Sequence, residues 1–141
     1  MAAFNKFEGF VGYLGLAAVN LNTDALNVYL SNAAPSASAD DVKTDLAEIT
    51  NENGYTAPVD TQNTYSEASG TGTLAGTKVV VTAAAGTVGP FQYVVLYDDT
   101  HASDILIGWW DYTAPITLQA GETFSIKFSN QEAAGTILTI A

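Results

Sequence analysis

Three apolar patterns follow one another in the last third of the chain, at residues 91–98, 105–112 and 122–129, with polar turns between them. In the third pattern every second residue is apolar. Because successive side chains of a strand point to opposite sides, this alternation predicts a strand with one buried face. The other two patterns are apolar on both faces, which predicts strands covered on both sides. The buried face of the third strand is expected to hold Phe124, Ile126 and Phe128.

The two doubly apolar patterns also predict which side chains share a face. Trp109 and Trp110 are neighbours, so one ring should enter the core and the other should point to the second face. Exposed rings on a sheet stack on sugars or contribute to protein interfaces, and simple burial is the third possibility. In residues 91–98, one face is expected to hold Phe91, Tyr93, Val95 and Tyr97, opposed to Val94 and Leu96.

Shorter patterns elsewhere predict more strands and little helix. The stretch 58–76 is rich in Thr, Ser and Gly, and we expect a loop there, or weak strands such as 63–65 on an exposed edge. About six to eight strands separated by turns predict an all-β fold, either an antiparallel β-sandwich or a jelly-roll-like barrel, with an N-terminal arm. The remaining predicted elements are strands at 26–30, 77–82 and 136–140, a helical turn around 44–50 and a turn at 51–54.

The N-terminal segment combines aromatic residues with glycines. Phe4, Phe7 and Phe10 recur at the spacing of one helix face, whereas the glycines between them oppose a stable helix. We therefore predict an N-terminal arm over residues 1–21, partly helical or extended, that exposes aromatic surface, followed by a single β domain over residues 22–141. The alternative is that the arm packs on its own domain. The candidate interface residues are Phe4, Phe7, Phe10, Tyr13, Leu14, Trp109 and Trp110.

Composition narrows the choice of partners. The chain has 15 Asp and Glu residues against four Lys and no Arg, a formal charge of −11. Binding to a phosphate backbone relies on Lys and Arg, so we expect no nucleic-acid partner and favour a basic or neutral protein surface. Without cysteine there is neither a disulfide nor a thiolate zinc site. The apolar run 11–19 is too short to span a bilayer and lacks the basic leader of a secretory signal, so we expect no membrane partner.

The candidate for catalysis is the single histidine, His101, which lies among Asp98, Asp99, Ser103 and Asp104. Asp and Ser are common turn residues, and adjacency in sequence supplies none of the geometry that a nucleophile and its base require. We therefore predict a hairpin loop here and no enzymatic activity. The same carboxylates lack the ligand spacing of an EF-hand, so we also predict no metal site and no cofactor.

Seven short blocks are distributed over nearly the whole chain: AFNKF at 3–7, DALNVYLSNAAP at 24–35, LAEI at 46–49, NGY at 53–55, VGPFQYVVLY at 88–97, IGWWDY at 107–112 and AGETF at 120–124. Together these blocks resemble a family of small structural proteins of tailed bacteriophages. The resemblance implies a head decoration or cement protein: a β-rich subunit, often a homotrimer, that binds the major capsid protein on the outer surface of the virion. It brings no catalytic residues with it.

Two other functions compete with capsid decoration. A tail or fibre adhesin would bind host glycan through Trp109 or Trp110 as a carbohydrate-binding module. A hydrolase would be centred on His101. The aromatic arm favours assembly on a larger particle, because apolar side chains that cross to a neighbour bury surface there.

Overall fold

Antiparallel strands make up most of the fold, which confirms the all-β prediction. The computed structural model describes residues 2–129 and 133–141. A single α-helix, α1 (Glu8–Gly15), follows the first strand, and a 3₁₀ turn spans Lys43–Asp45. The strands are β1 (Phe4–Lys6), β2 (Leu26–Ser31), β3 (Val59–Asp60), β4 (Thr64–Ala68), β5 (Thr71–Gly76), β6 (Val79–Thr82), β7 (Val88–Asp98), β8 (Ile105–Leu118), β9 (Thr123–Ile126) and β10 (Gly135–Ile140).

The strands form three sheets that share one main core. A five-stranded sheet has the order β1-β8-β7-β2-β3, a three-stranded sheet the order β10-β5-β4, and β6 pairs with β9. Side chains from all three sheets meet in the core, among them Val94, Leu74, Val81, Ile126 and Ile137. The fold is therefore sandwich-like, with the large sheet on one side and the two smaller sheets on the other.

A second, smaller hydrophobic cluster covers the other face of the large sheet. It is capped by Leu46 from the long connection between β2 and β3, whose backbone carbonyl accepts a hydrogen bond of 3.1 Å from the Tyr29 hydroxyl. Both faces of β7 and β8 are thus covered, as their doubly apolar patterns predict. Trp110 belongs to the main core and Trp109 packs against the second cluster, so the rings do point to opposite faces. The second cluster consists of Phe7, Tyr29, Leu46, Val95, Tyr97 and Leu106.

One predicted face assignment in β7 is wrong. Phe91 does not share a face with Val95 and Tyr97; it lies in the main core together with Val94. The reason is a register shift in the β7–β8 pairing between Phe91 and Tyr93, which breaks the strict alternation of faces. Strand alternation predicts faces only where the ladder is regular.

The first residues of the chain belong to the fold itself. β1 is an edge strand of the large sheet, with Phe4 opposite Trp110, and α1 follows it directly. Phe7 is fully buried and Phe10 almost fully, so the expectation of exposed aromatic surface is wrong for both residues. The predicted mixture of extended and helical backbone is present. Burial of Phe10 stabilises α1 against the cost of its glycines, because tertiary packing supplies most helix stability in proteins.

The predictions for residues 44–76, where the apolar pattern is weak, are partly confirmed. The stretch 58–76 holds three strands, of which β3 and β4 lie at sheet edges and β5 lies between β4 and β10. The helical turn expected around 44–50 is a 3₁₀ turn at Lys43–Asp45. The turn at 51–54 is present, and Gly54 adopts a φ of 102°, a left-handed conformation that favours glycine.

Candidate interaction groove

A groove runs between α1 and β10, and we call it the α1/β10 groove. It consists of two adjoining cavities of about 580 and 450 Å³ that share Leu14 and Ile140 in their linings. Its floor reaches half-buried side chains that pack against the main core, so the core is incompletely covered at this point. The apolar side chains that shape the larger cavity are Phe4, Phe10, Val11, Leu14, Leu138 and Ile140.

Two exposed large hydrophobic side chains, Val11 and Ile140, line this groove, and a third, Leu16, lies directly after α1. Over residues 2–129 and 133–141 there are four of them, and three belong to α1, its C-cap or β10: Leu16 at 81% exposure, Val11 at 55% and Ile140 at 37%. The fourth is Val80 on β6, at 47%. Single exposed apolar residues are ordinary, whereas a group beside an apolar groove marks an interaction surface.

The shape of β10 explains why its apolar residues reach the groove. The pairing with β5 is regular up to Thr136 and resumes at Leu138, so Ile137 has no partner across the ladder. Ile137 enters the main core, while Leu138 and Ile140, two residues apart, line the groove. A bulge of this kind re-aims side chains at the edge of a sheet.

The groove differs in charge from the rest of the molecule. Among the described residues, Lys6 is the one charged side chain that lines either cavity, and no Asp or Glu side chain does so. Elsewhere the chain carries 15 acidic residues. A surface docked on this face therefore meets little of the repulsion that the acidic faces impose on a negatively charged neighbour.

The residues predicted as an interface are divided between the groove and the interior. Phe4, Phe10 and Leu14 line the groove, whereas Tyr13 is half-buried against the main core. The prediction missed the exposed or groove-lining residues Val11, Leu16, Leu138 and Ile140. Their signal in the sequence is weak, because the glycines around Val11 oppose a stable helix and the last strand is short.

The remaining aromatic candidates pack inside the fold. The rings of Phe7 and Trp109 are in tilted contact, with centroids 4.6 Å apart and planes inclined by 48°. Trp110 is 6% exposed and packs between Phe4 and Phe128, at centroid distances of 5.2 and 5.4 Å. Neither Trp109 nor Trp110 lines the groove.

The loop around His101 is a hairpin connection between β7 and β8, as predicted. Asp98 accepts hydrogen bonds from the backbone amides of Thr100 and His101, at 2.9 and 3.2 Å. The imidazole Nδ1 of His101 accepts a bond of 3.1 Å from the amide of Ser103. These bonds hold the turn, and they leave the imidazole oriented by backbone rather than by a carboxylate.

The described ranges 2–129 and 133–141 hold no group of three or more His, Asp or Glu side chains arranged to bind a metal ion. No helix in these ranges combines the length and the apolar character that crossing a membrane requires.

Asp98 is a buried carboxylate beside a second one. Its side chain is fully buried, and its Oδ2 atom has no hydrogen-bond donor. Burial and the neighbouring Asp24 carboxyl raise the pKa of Asp98, against the lowering effect of the two backbone amides. The two carboxylates can hydrogen-bond to each other only when one carries a proton. Ionised Asp98 therefore destabilises the native state.

We expect Asp98→Asn to stabilise the protein at about pH 7 by about 1 kcal/mol, because the amide can keep the backbone bonds through its oxygen and donate to Asp24. Wild-type Asp98 binds its proton more tightly when folded, so wild-type stability rises as the pH falls through the folded pKa. The advantage of the variant should shrink towards about pH 4 in urea titrations. Asp104→Asn in the same loop is the control, and an unchanged or lower midpoint for Asp98→Asn would contradict the expectation.

Comparison of the chain with protein-family models, curated proteins and solved structures finds no match. An apolar groove with one ammonium group at its mouth is suited to binding another polypeptide surface.

Proposed function

We propose that this chain is a structural protein of a tailed-phage virion, a decoration protein that binds the major capsid protein on the outside of the head. The observation that carries the proposal is the α1/β10 groove. Two of the four exposed large hydrophobic side chains of the described residues, Val11 and Ile140, line it, Leu16 lies directly after α1, and no Asp or Glu side chain of the described residues is in the lining. The sequence blocks that resemble phage structural proteins support the choice of partner. Trimer formation remains a prediction.

The mechanism is mechanical and depends on repetition. Val11, Leu16 and Ile140 are exposed in the isolated subunit and would be buried on docking. Full burial of such a side chain contributes roughly 1.5–3 kcal/mol, before the entropy cost of association is subtracted. One contact of this size is modest. Many subunits that each touch neighbouring capsomers act together, so the shell gains resistance to internal pressure.

The adhesin alternative has less support from the geometry. Sugar stacking requires an accessible ring face, but Trp110 is 6% exposed, and Trp109 is half-buried with its ring in contact with the ring of Phe7. No observation in the described residues favours this alternative over capsid binding.

The structure also determines how the proposal should be tested. Deletion of residues 1–10 would remove β1 and the buried side chain of Phe7, so it would damage the fold together with any interface. Point substitutions at exposed positions avoid this problem. Val11 on α1 and Val80 on β6 form a matched pair, since they are the same residue at similar exposure in different parts of the surface.

We expect Val11→Lys to weaken binding to empty heads of the corresponding phage by at least about tenfold, because a lysine in an apolar contact removes buried surface and adds a desolvation cost. Val80→Lys makes the same change in charge and should bind like the wild type. Co-sedimentation at a series of protein concentrations measures both affinities. Equal binding by the two variants would move the contact away from the groove, and a wild-type protein that never sediments with heads would refute the proposed function.

A further inference from the structure

We propose that the partner enters the α1/β10 groove as an extended strand that pairs with the free edge of β10. Its alternate apolar side chains would fill the groove, and a carboxylate would lie opposite Lys6. The inference rests on the proposed function of the groove as the contact surface and adds the form and chemistry of the segment that binds there.

The first argument is that β10 is an unprotected edge. It pairs with β5 on one side, and within residues 2–129 and 133–141 no strand pairs with its other side. Exposed edges are usually protected by charges or proline, because they otherwise recruit strands from other molecules. The edge strands β1, β3 and β4 contain Lys6, Asp60 and Glu67, respectively. The two strands of the small sheet, β6 and β9, contain no charged residue but are directly flanked by Lys78, Glu122 and Lys127, whereas β10 has no charged residue or proline in its strand.

The second argument concerns the shape of the groove. The larger cavity is lined by β1 and β10, which are edge strands of two different sheets, and by α1. Leu138 and Ile140 lie two residues apart, which is the repeat of one strand face. A strand added beside β10 would place its own alternate side chains next to these two and against Phe10 and Leu14. This is strand addition, in which backbone bonds give affinity and side-chain pockets give specificity.

The third argument is electrostatic and identifies the occupant. Lys6 lies in the groove lining and forms no ion pair within the described part of the chain. No Asp or Glu side chain of the described residues lines the groove to compete for it. A partner segment that carries Asp or Glu beside alternating apolar residues therefore satisfies both features of the groove. A basic segment would meet Lys6 as a like charge.

The experiment uses the full chain and a synthetic probe. The probe is an acetylated and amidated octapeptide in which valine alternates with threonine and one terminal valine is replaced by glutamate, so that the carboxylate lies on the same face as the other valines; a second peptide has lysine in place of glutamate. Hydrogen exchange of the β10 amides is followed by mass spectrometry at peptide concentrations up to about 1 mM. We expect the glutamate peptide to slow exchange in β10, and the lysine peptide to bind more weakly.

Two variants test the site directly. Ile140→Asp should weaken binding of the glutamate peptide by at least about tenfold. Thr139→Lys, which adds the lysine that protected edges carry, should weaken binding by a similar factor. Val80→Asp is the control for the first variant. Both groove positions are exposed, and unchanged thermal unfolding will show that a variant is folded.

The outcomes separate strand addition from the proposed function. Peptide that leaves β10 exchange unchanged, or slows exchange in α1 alone, overturns strand addition. Slowed exchange that depends on protein concentration without peptide also overturns it, because the edge is then occupied by a second copy. Heads that bind the protein without protecting β10 refute strand addition and leave capsid binding intact. Peptide protection with no binding to heads refutes the capsid partner and leaves strand addition intact.

Discussion

Phe7→Ala is expected to lower the free energy of unfolding by about 3–5 kcal/mol, the largest effect of any substitution considered for this chain. The Phe7 side chain is fully buried, and its ring contacts the ring of Trp109 at a centroid distance of 4.6 Å. Its backbone amide also donates a bond of 3.1 Å to the carbonyl of Ile107, so the residue joins the N-terminal segment to β8. Truncation to alanine would leave a cavity in the second cluster.

Urea denaturation of the wild type, Phe7→Ala and Phe4→Ala measures the effect. Phe4 is the control, since it is half-buried at the edge of the sheet and its truncation should cost clearly less. If Phe7→Ala were no more destabilised than Phe4→Ala, the N-terminal segment would not be anchored through the second cluster. That result would instead support the predicted N-terminal arm with exposed aromatic surface.

Gly108→Ala is expected to displace β1 from β8 and to cost about 1–3 kcal/mol through overpacking. Gly108 lies opposite Lys6 in the ladder. A Cβ atom at this position would overlap the ring of Phe4 and come within 2.5 Å of the carbonyl oxygen of Asn5. The ring can turn away, but the carbonyl belongs to the backbone of β1, so the strand itself must move.

Gly12→Ala provides the matched control, because a Cβ on Gly12 meets nothing within 4 Å. Alanine there should leave stability unchanged or raise it by up to about 1 kcal/mol, since Gly12 lies inside α1. Combining Gly108→Ala with Phe4→Ala tests the mechanism. The double variant should be less stable than Phe4→Ala alone because the contact with Asn5 remains, and equal stability of these two variants would mean that the ring alone is responsible.

The sequence predicts the central strands well because their side chains are large and apolar. The faces of Trp109 and Trp110, and the buried row of Ile126 and Phe128 in and after β9, follow from simple alternation. β5 has the same alternation, but two of its three inward positions are Gly72 and Gly76. Glycine contributes no hydrophobic signal, so a regular central strand looked like a loop.

The groove could not be predicted because it depends on tertiary contacts. Spacing places Phe4, Phe7 and Phe10 together but cannot tell whether their own domain or a partner covers them. In the fold, Phe7 and Phe10 are buried within their own domain, and Val11 and Leu16 are exposed. The bulge at Ile137 that opens the groove also has no counterpart in the apolar pattern, since the surrounding residues read as an ordinary strand.

The pairing of β1 with β8 has a consequence for synthesis on the ribosome. Phe4 lies opposite Trp110, so the first strand has no ladder partner until most of the chain has been made. At about 5–20 residues per second, that wait is on the order of 5–20 seconds. During this interval the aromatic residues hidden in the finished protein are exposed to chaperones and to other nascent chains. The N-terminal segment is thus an adhesive surface early in the life of the molecule and an interior one afterwards.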